Sequence, residues 1–161
     1  MRKINPEYIS MVSEATNASP YFKLLNMRLI HFDIGSSKIE IVIDPKKHFQ
    51  PFGNIHGGVY ASIIDAAAFW AVYGQVNDNI GMTSVDLKLN YLSATNGLKL
   101  IAHGKKIKLG RTLGYCQVQV TDETEKILAH GTSTLMIIKN LSFQFGGPLP
   151  PKFCEPIIPS K

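Results

Sequence analysis

The chain has 161 residues, with 17 Lys and Arg against 12 Asp and Glu, a net charge of +5, 45% hydrophobic and 18% charged residues. That balance excludes global disorder and suits one domain with its own core and no disulfide scaffold. Cys116 and Cys154 have no metal or redox spacing, no apolar h-region follows Arg2 and Lys3, and no apolar run approaches the ~18–20 residues of a bilayer span, so a soluble cytoplasmic protein is expected.

Residues 1–26 read as a helical segment. A loose stripe of Ile4, Tyr8, Ile9, Met11 and Val12 predicts a helix over 4–25 before Pro20 interferes. From Met27 to Asp44 the pattern changes to alternation, with a Gly-Ser-Ser turn at 35–37, and predicts a two-stranded hairpin. Residues 44–56, with two prolines and a glycine, read as a loop. Gly57-Gly58 then opens VYASIIDAAAFWAVYGQ, the longest helical candidate, apolar nearly all round and so expected to be buried on every face, with Gly74 as its stop.

Four strands are predicted after it, over 82–92, 98–108, 112–121 and 126–138. The first alternates Val85, Leu87, Leu89 and Tyr91 against Ser84, Asp86, Lys88 and Asn90, and Asn96-Gly97 is a hairpin signal before the second. A polar DETE turn joins the last two. The order predicts an α+β domain over residues 27–138, an antiparallel sheet wrapped around one long central helix. Residues 139–161 form a tail holding five of the nine prolines, expected to be extended and draped on a neighbour.

Asp65 is the only Asp, Glu, Lys or Arg between Lys47 and Asp78 and sits mid-helix among apolar residues. A carboxylate there is either used in chemistry or satisfied by backbone or Ser/Thr groups in a packing interface, because burying it unpaired costs several kcal/mol. Gly57-Gly58 at the helix start leaves uncovered N–H groups at the positive end of a helix dipole, a place for an oxyanion; close packing is the other use of such glycines. For His56, hydrogen bonding to backbone that fixes the loop is the favoured reading, with catalysis as the other. The remaining histidines have no ligand spacing, so no metal is expected, and no Gly-x-Ser-x-Gly elbow marks a serine hydrolase. Lys105, Lys106, Lys108 and Arg111 fall within seven positions. They are either a solvated strand edge or an anion-holding patch. Nothing resembles a nucleic-acid-binding motif.

The stretch Gln50-Pro-Phe-Gly-Asn-Ile-His-Gly-Gly, the acid Asp65 nine positions after His56, and Ser84-Val-Asp-Leu-x-Leu-Asn-Tyr-Leu resemble the hotdog-fold acyl-CoA thioesterases. The resemblance covers residues 27–138 and is nearest to the phenylacetate-pathway and 4-hydroxybenzoyl-CoA thioesterase group. It implies a hotdog fold, hydrolysis of an acyl-CoA thioester, and no cofactor beyond the coenzyme A of the substrate. It implies that the Gly57 N–H polarises the thioester carbonyl, that Asp65 is base or nucleophile, that the Gln50 amide assists, and that Ser84 lines the site. Asn54, Gly58, Arg111 and Lys105 are the expected substrate contacts, the basic pair toward the CoA phosphates. Gln50 occurs in the branch that usually pairs it with a helix Glu, so Gln50 with Asp65 is a mixed pattern.

Eight residues separate Gly57 from Asp65, about 12 Å along a helix. Base and oxyanion donor must both reach one carbonyl, so a homodimer with shared sites is expected, assembled further as a dimer of dimers, with no nucleic-acid partner and no membrane insertion. The competing readings are a non-catalytic acyl-CoA-binding hotdog module and a hotdog dehydratase. The dehydratase's His-Phe-Pro-Gly type of loop is missing.

Overall fold

Caps and prolines delimit the N-terminal helices. In the computed structural model, which describes residues 2–143 and 147–154, α1 spans Pro6–Ala18. The Asn5 side chain accepts the Glu7 N–H at 3.0 Å and proline occupies the first turn. Ser19 is extended, and a separate short α2 starts at Pro20 and ends at Leu24, so the single helix expected over 4–25 is two. The buried stripe of α1 is Tyr8, Val12 and Thr16, at four-residue spacing; Met11, expected within it, is exposed.

Strands β1 (Met27–Asp33) and β2 (Ser36–Val42) form the expected hairpin, turning through Gly35 at φ +85°. The segment read as loop contains a single helical turn, α3 (Pro45–His48), which Asp44 caps by accepting the Lys46 N–H. Helix α4 runs Gly57–Tyr73, followed by β3 (Ile80–Tyr91), β4 (Lys99–Leu109), β5 (Leu113–Thr121) and β6 (Ile127–Lys139). All neighbours in the six-stranded sheet are antiparallel, in the order β1-β2-β4-β5-β6-β3.

The Asn96-Gly97 signal does not make a hairpin. Both edges of β4 are occupied, by β2 and β5, so β3 pairs instead with β6 at the far side of the sheet. Residues 92–98 cross to the β5–β6 turn. There the Asp122 carboxylate accepts Thr95 Oγ1 at 2.7 Å, and the Glu123 carboxylate accepts the N–H groups of Leu98 and Lys99. Asp122 also accepts from Thr124 and Lys126, and these hydrogen bonds, chiefly from the Thr124 and Thr95 hydroxyls, hold its carboxyl down at about 2.

Helix α4 lies across the sheet and touches all six strands. The approach is closest at Gly104, where a Cβ would come 2.4 Å from the Ala67 carbonyl oxygen, and at Gly131, where it would meet Ile64 at 2.8 Å. Ser37 Oγ donates to that same Ala67 carbonyl at 2.6 Å. Fully buried Ile63 and Ile64 each contribute on the order of 2 kcal/mol of hydrophobic stabilisation.

The helix is not enclosed on every face. Ala61, Ser62, Asp65, Ala66 and Phe69 form a stripe at helical spacing that the sheet leaves only half-covered. A sheet covers one side of a helix, and here the other side falls to α1, α2 and Phe143.

The tail folds back on its own chain. Cys154 N–H donates to the Lys3 carbonyl, Asn5 N–H donates to the Lys152 carbonyl, and Phe153 bridges Ile4. The fully buried Lys152 donates from Nζ to the Tyr73 carbonyl at 2.7 Å and lies 3.4 Å over the Tyr73 ring, closing the C-terminal end of α4. The rest of the expected tail, residues 144–146 and 155–161, lies outside the described residues. Among the described residues, no helix is long and apolar enough to cross a membrane, and the outer edge of the 12-residue strand β3 has no strand partner.

Candidate active site

The start of α4 is held by two histidines. His56 is the N-cap, and its Nδ1 accepts the Gly58 N–H at 2.8 Å while its own N–H donates to the His48 carbonyl. His48 is buried beneath the loop and accepts the Asp44 N–H on Nδ1; burial pulls its imidazole below the usual range, toward the neutral form. The bonds with Gly58 and His48 tie His56 to the first turn of α4 and to the loop. Because Nδ1 takes the Gly58 N–H, Gly57 keeps the uncommitted N–H at the positive end of the helix. Gln50 turns its Oε1 to the Phe52 N–H at 2.5 Å, and its Nε2 makes no hydrogen bond among the described residues.

One turn after Ala61, at the middle of the open stripe, stands Asp65, whose Oδ1 accepts from Ser84 Oγ at 2.5 Å. A strict strand alternation would place Ser84 opposite Leu87, Leu89 and Tyr91. The β3–β6 register instead shifts between Ser84 and Asp86, a bulge at Val85. The extra residue resets the phase, so Ser84 reaches the helix on the side of Leu87 and Leu89. Val85, expected inside, is 53% exposed.

The expected site residues fall into two groups within one chain. Gln50, Asn54, His56, Gly57 and Gly58 line a cavity of 630 Å³ with Tyr60 and Tyr91. Asp65 lines a different one, of 540 Å³, beneath α1 and α2. Arg111 and Lys105 line neither. Arg111 sits exposed in the β4–β5 turn, a few residues beyond the Gly114–Leu135–Ser84 row, at the Asp65 end of the sheet. The basic cluster also divides: Lys105 is exposed, whereas Lys106 is half-buried and donates to Gln75 Oε1. Among the described residues, no group of three or more His, Cys, Asp or Glu is placed to hold a metal ion.

Two sets of contributors escaped the sequence reading. Tyr21 Oη and Ser62 Oγ hydrogen-bond at 2.7 Å and close one end of the Asp65 cavity. Phe143, from the tail, closes the other by stacking on Trp70 at 5.7 Å. Tyr21 and Phe143 come from segments flanking the predicted domain, where periodicity shows that a helix is amphipathic but not where it docks.

The family model described as thioesterase superfamily matches residues 52–129. Among curated relatives, a 1,4-dihydroxy-2-naphthoyl-CoA hydrolase of Listeria monocytogenes is 24% identical over 115 residues, 71% of this chain and 93% of that protein. Acyl-coenzyme A thioesterase 13 of Homo sapiens is 30% identical over 91 residues, 55% of this chain and 64% of that protein. Among solved structures, a thioesterase from Haemophilus influenzae superposes with a TM-score of 0.78 at 20% identity, covering 90% of this chain and all of that one. Zebra fish thioesterase superfamily member 2 gives 0.70 at 24% identity, covering 80% and 96%.

Proposed function

We propose, for a chain that belongs to the thioesterase superfamily over residues 52–129 and has its hotdog fold, the hydrolysis of acyl-CoA thioesters to the free acid and CoA. The chain is an enzyme of the hydrolase class; the acyl-CoA substrate and the residue roles are the proposal. The observation that carries it is Asp65, a carboxylate on an apolar helix, steadied through Oδ1 by Ser84 and facing a largely apolar cavity.

With Oδ1 held, Oδ2 is left to take a proton from water as that water attacks the thioester carbonyl. The oxyanion that forms accepts from the Gly57 N–H, and the Gln50 amide is a second donor in the same cavity. Collapse expels the CoA thiolate, which needs no general acid because its conjugate acid has a low pKa. Asn54 and Gly58 line the carbonyl side, and Arg111 is assigned to the CoA phosphates. The reaction calls for no cofactor.

The two halves of this site are assigned to two subunits. A 12-residue edge strand is a ready template for a second copy. Antiparallel pairing of β3 with its two-fold mate about an axis at Lys88, with the Val85 bulge setting two residues against one, brings Ser84 of one subunit opposite Tyr91 of the other. Ser84 carries Asp65 beside it and Tyr91 carries Gly57, so that register completes two sites per dimer. Further pairing into a dimer of dimers belongs to the same reading and is measured by light scattering. Release of free thiol from aryl, short, medium and long acyl-CoAs tests the function. No release from any of them, with the protein folded and dimeric, overturns it.

A further inference from the structure

The cavity beside Asp65 is not uniform along its length. At the end toward the start of α4 it is polar, with Ser62, Tyr21, Ser19 and Thr16. Toward the end of α4 it is lined by Phe69, Trp70 and Phe143, while Phe22, Met27 and Leu87 line the rest of its wall. Phe69 lies four residues after Asp65, about 6 Å along the helix, so a group leaving a carbonyl at Asp65 in that direction soon meets the aromatic wall. Phe143 forms that wall: its ring stacks on Trp70 at 5.7 Å and 11°, and meets Phe69 and Tyr73 edge-on at 6.4 and 4.9 Å. Phe143 lies outside the matched segment 52–129, so this end of the cavity is closed by a residue C-terminal to that segment.

We infer that the aromatic end of this cavity is the acyl pocket, that it takes a compact apolar acyl group, a single aromatic ring or a short aliphatic chain, and that Phe143 is the residue that limits its length. The inference rests on the acyl-CoA reading above. An apolar acyl group is placed at this end because Phe69, Trp70 and Phe143 give it an apolar wall, whereas the other end carries the Tyr21–Ser62 hydroxyl pair. An aryl ring adds edge-to-face contacts with Phe69 and Phe143. Chain length is limited by a side chain rather than by backbone. Truncating Phe143 therefore extends the pocket toward Tyr73 without touching Asp65, Ser84 or Gly57.

The test compares wild type with Phe143→Ala and the milder Phe143→Leu on acetyl-, hexanoyl-, benzoyl- and lauroyl-CoA, with thermal melts to confirm folding. Wild type is expected to favour hexanoyl- and benzoyl-CoA over lauroyl-CoA by about tenfold or more in kcat/KM. Phe143→Ala is expected to shift the lauroyl-to-hexanoyl ratio by about tenfold toward lauroyl, with Phe143→Leu between them. A ratio unchanged within twofold in either folded variant overturns the assignment. Titration of the non-hydrolysable thioethers S-hexyl-CoA and S-dodecyl-CoA separates the two readings. A length preference in binding that relaxes in the variants supports the pocket even where turnover is absent, whereas equal binding of both thioethers by all three proteins overturns it.

Discussion

The hydroxyl of Tyr91 lies against Gly57, so close that a Cβ on residue 57 would come 2.6 Å from it. The end of β3 thus covers the first residue of α4, beside the only uncommitted N–H of that turn, and the contact gives glycine a steric reason at this position. Tyr91 is largely exposed and can swing aside, so the penalty of a side chain there falls on the site more than on the fold. Gly57→Ala is expected to melt within a few degrees of wild type, a loss of about 1 kcal/mol or less, while kcat/KM drops about tenfold or more. Tyr91→Ala in the same chain should recover part of the melting loss. A Gly57→Ala variant with full activity would show that a side chain at residue 57 does not obstruct the site.

Asp65→Asn preserves shape and removes the carboxylate proposed as the base. It should leave the melt unchanged and lower turnover by at least about a hundredfold. Ser84→Ala removes only the hydrogen bond that steadies Oδ1, and about a tenfold loss is expected. Single-turnover hydrolysis in isotopically labelled water distinguishes the routes: label appearing in the Asp65 carboxylate means direct attack by Asp65 rather than activation of water.

The division of the site between two cavities is checked by mixing dead variants. Asp65→Ala removes the proposed base, and Gly57→Pro removes the N–H at a helix position where proline is tolerated. Reassembled in equal amounts they give about half heterodimers, each with one intact site, so roughly a quarter of wild-type activity should return. Heterodimers shown to form without activity would refute a shared site.

Lys152 makes the stability depend on pH. Burial between Tyr8 and Tyr73 pulls its ammonium down to about 7; Asp78 opposes that pull and Arg2 adds to it. Unfolded, the group titrates at about 10.4, so between the two values the unfolded chain binds more protons and stability rises with pH. Relative to Lys152→Met, wild type should gain on the order of 5 °C in Tm between pH 6.5 and 9.5. A parallel pair of curves would mean that the tail carries no such charge.

Arg111 is isolated at a turn tip, outside both cavities. If it holds CoA phosphates, Arg111→Ala raises KM for acyl-CoA several-fold and leaves a truncated pantetheine thioester unaffected. Lys105→Ala, removing an exposed charge on β4, reads the contribution of the other basic residue assigned to that role. Equal effects of Arg111→Ala on both substrates would remove it from the binding site.

Much of the fold was legible in the sequence because its signals are local. The apolar run from Val59 fixes a long central helix, the alternation over 27–44 fixes a hairpin, Gly57-Gly58 marks the helix start and Asp65 stands out by charge against apolar surroundings, while Ser84 is marked only by the family resemblance. What the residues could not disclose depends on competition between distant segments. Asn96-Gly97 carries a hairpin signal, but β4 had already given both edges to β2 and β5, so only the sheet order decides that β3 goes to β6. Alternation places Ser84 away from the helix, and only the bulge at Val85, set by pairing with β6, turns it to Asp65. The helix is apolar all round, yet which face stays open follows from the sheet covering one side of it. Composition sets which segments must be buried; the pairing and docking of those segments decide which side chains meet, because edges, faces and register are shared among strands far apart in the chain.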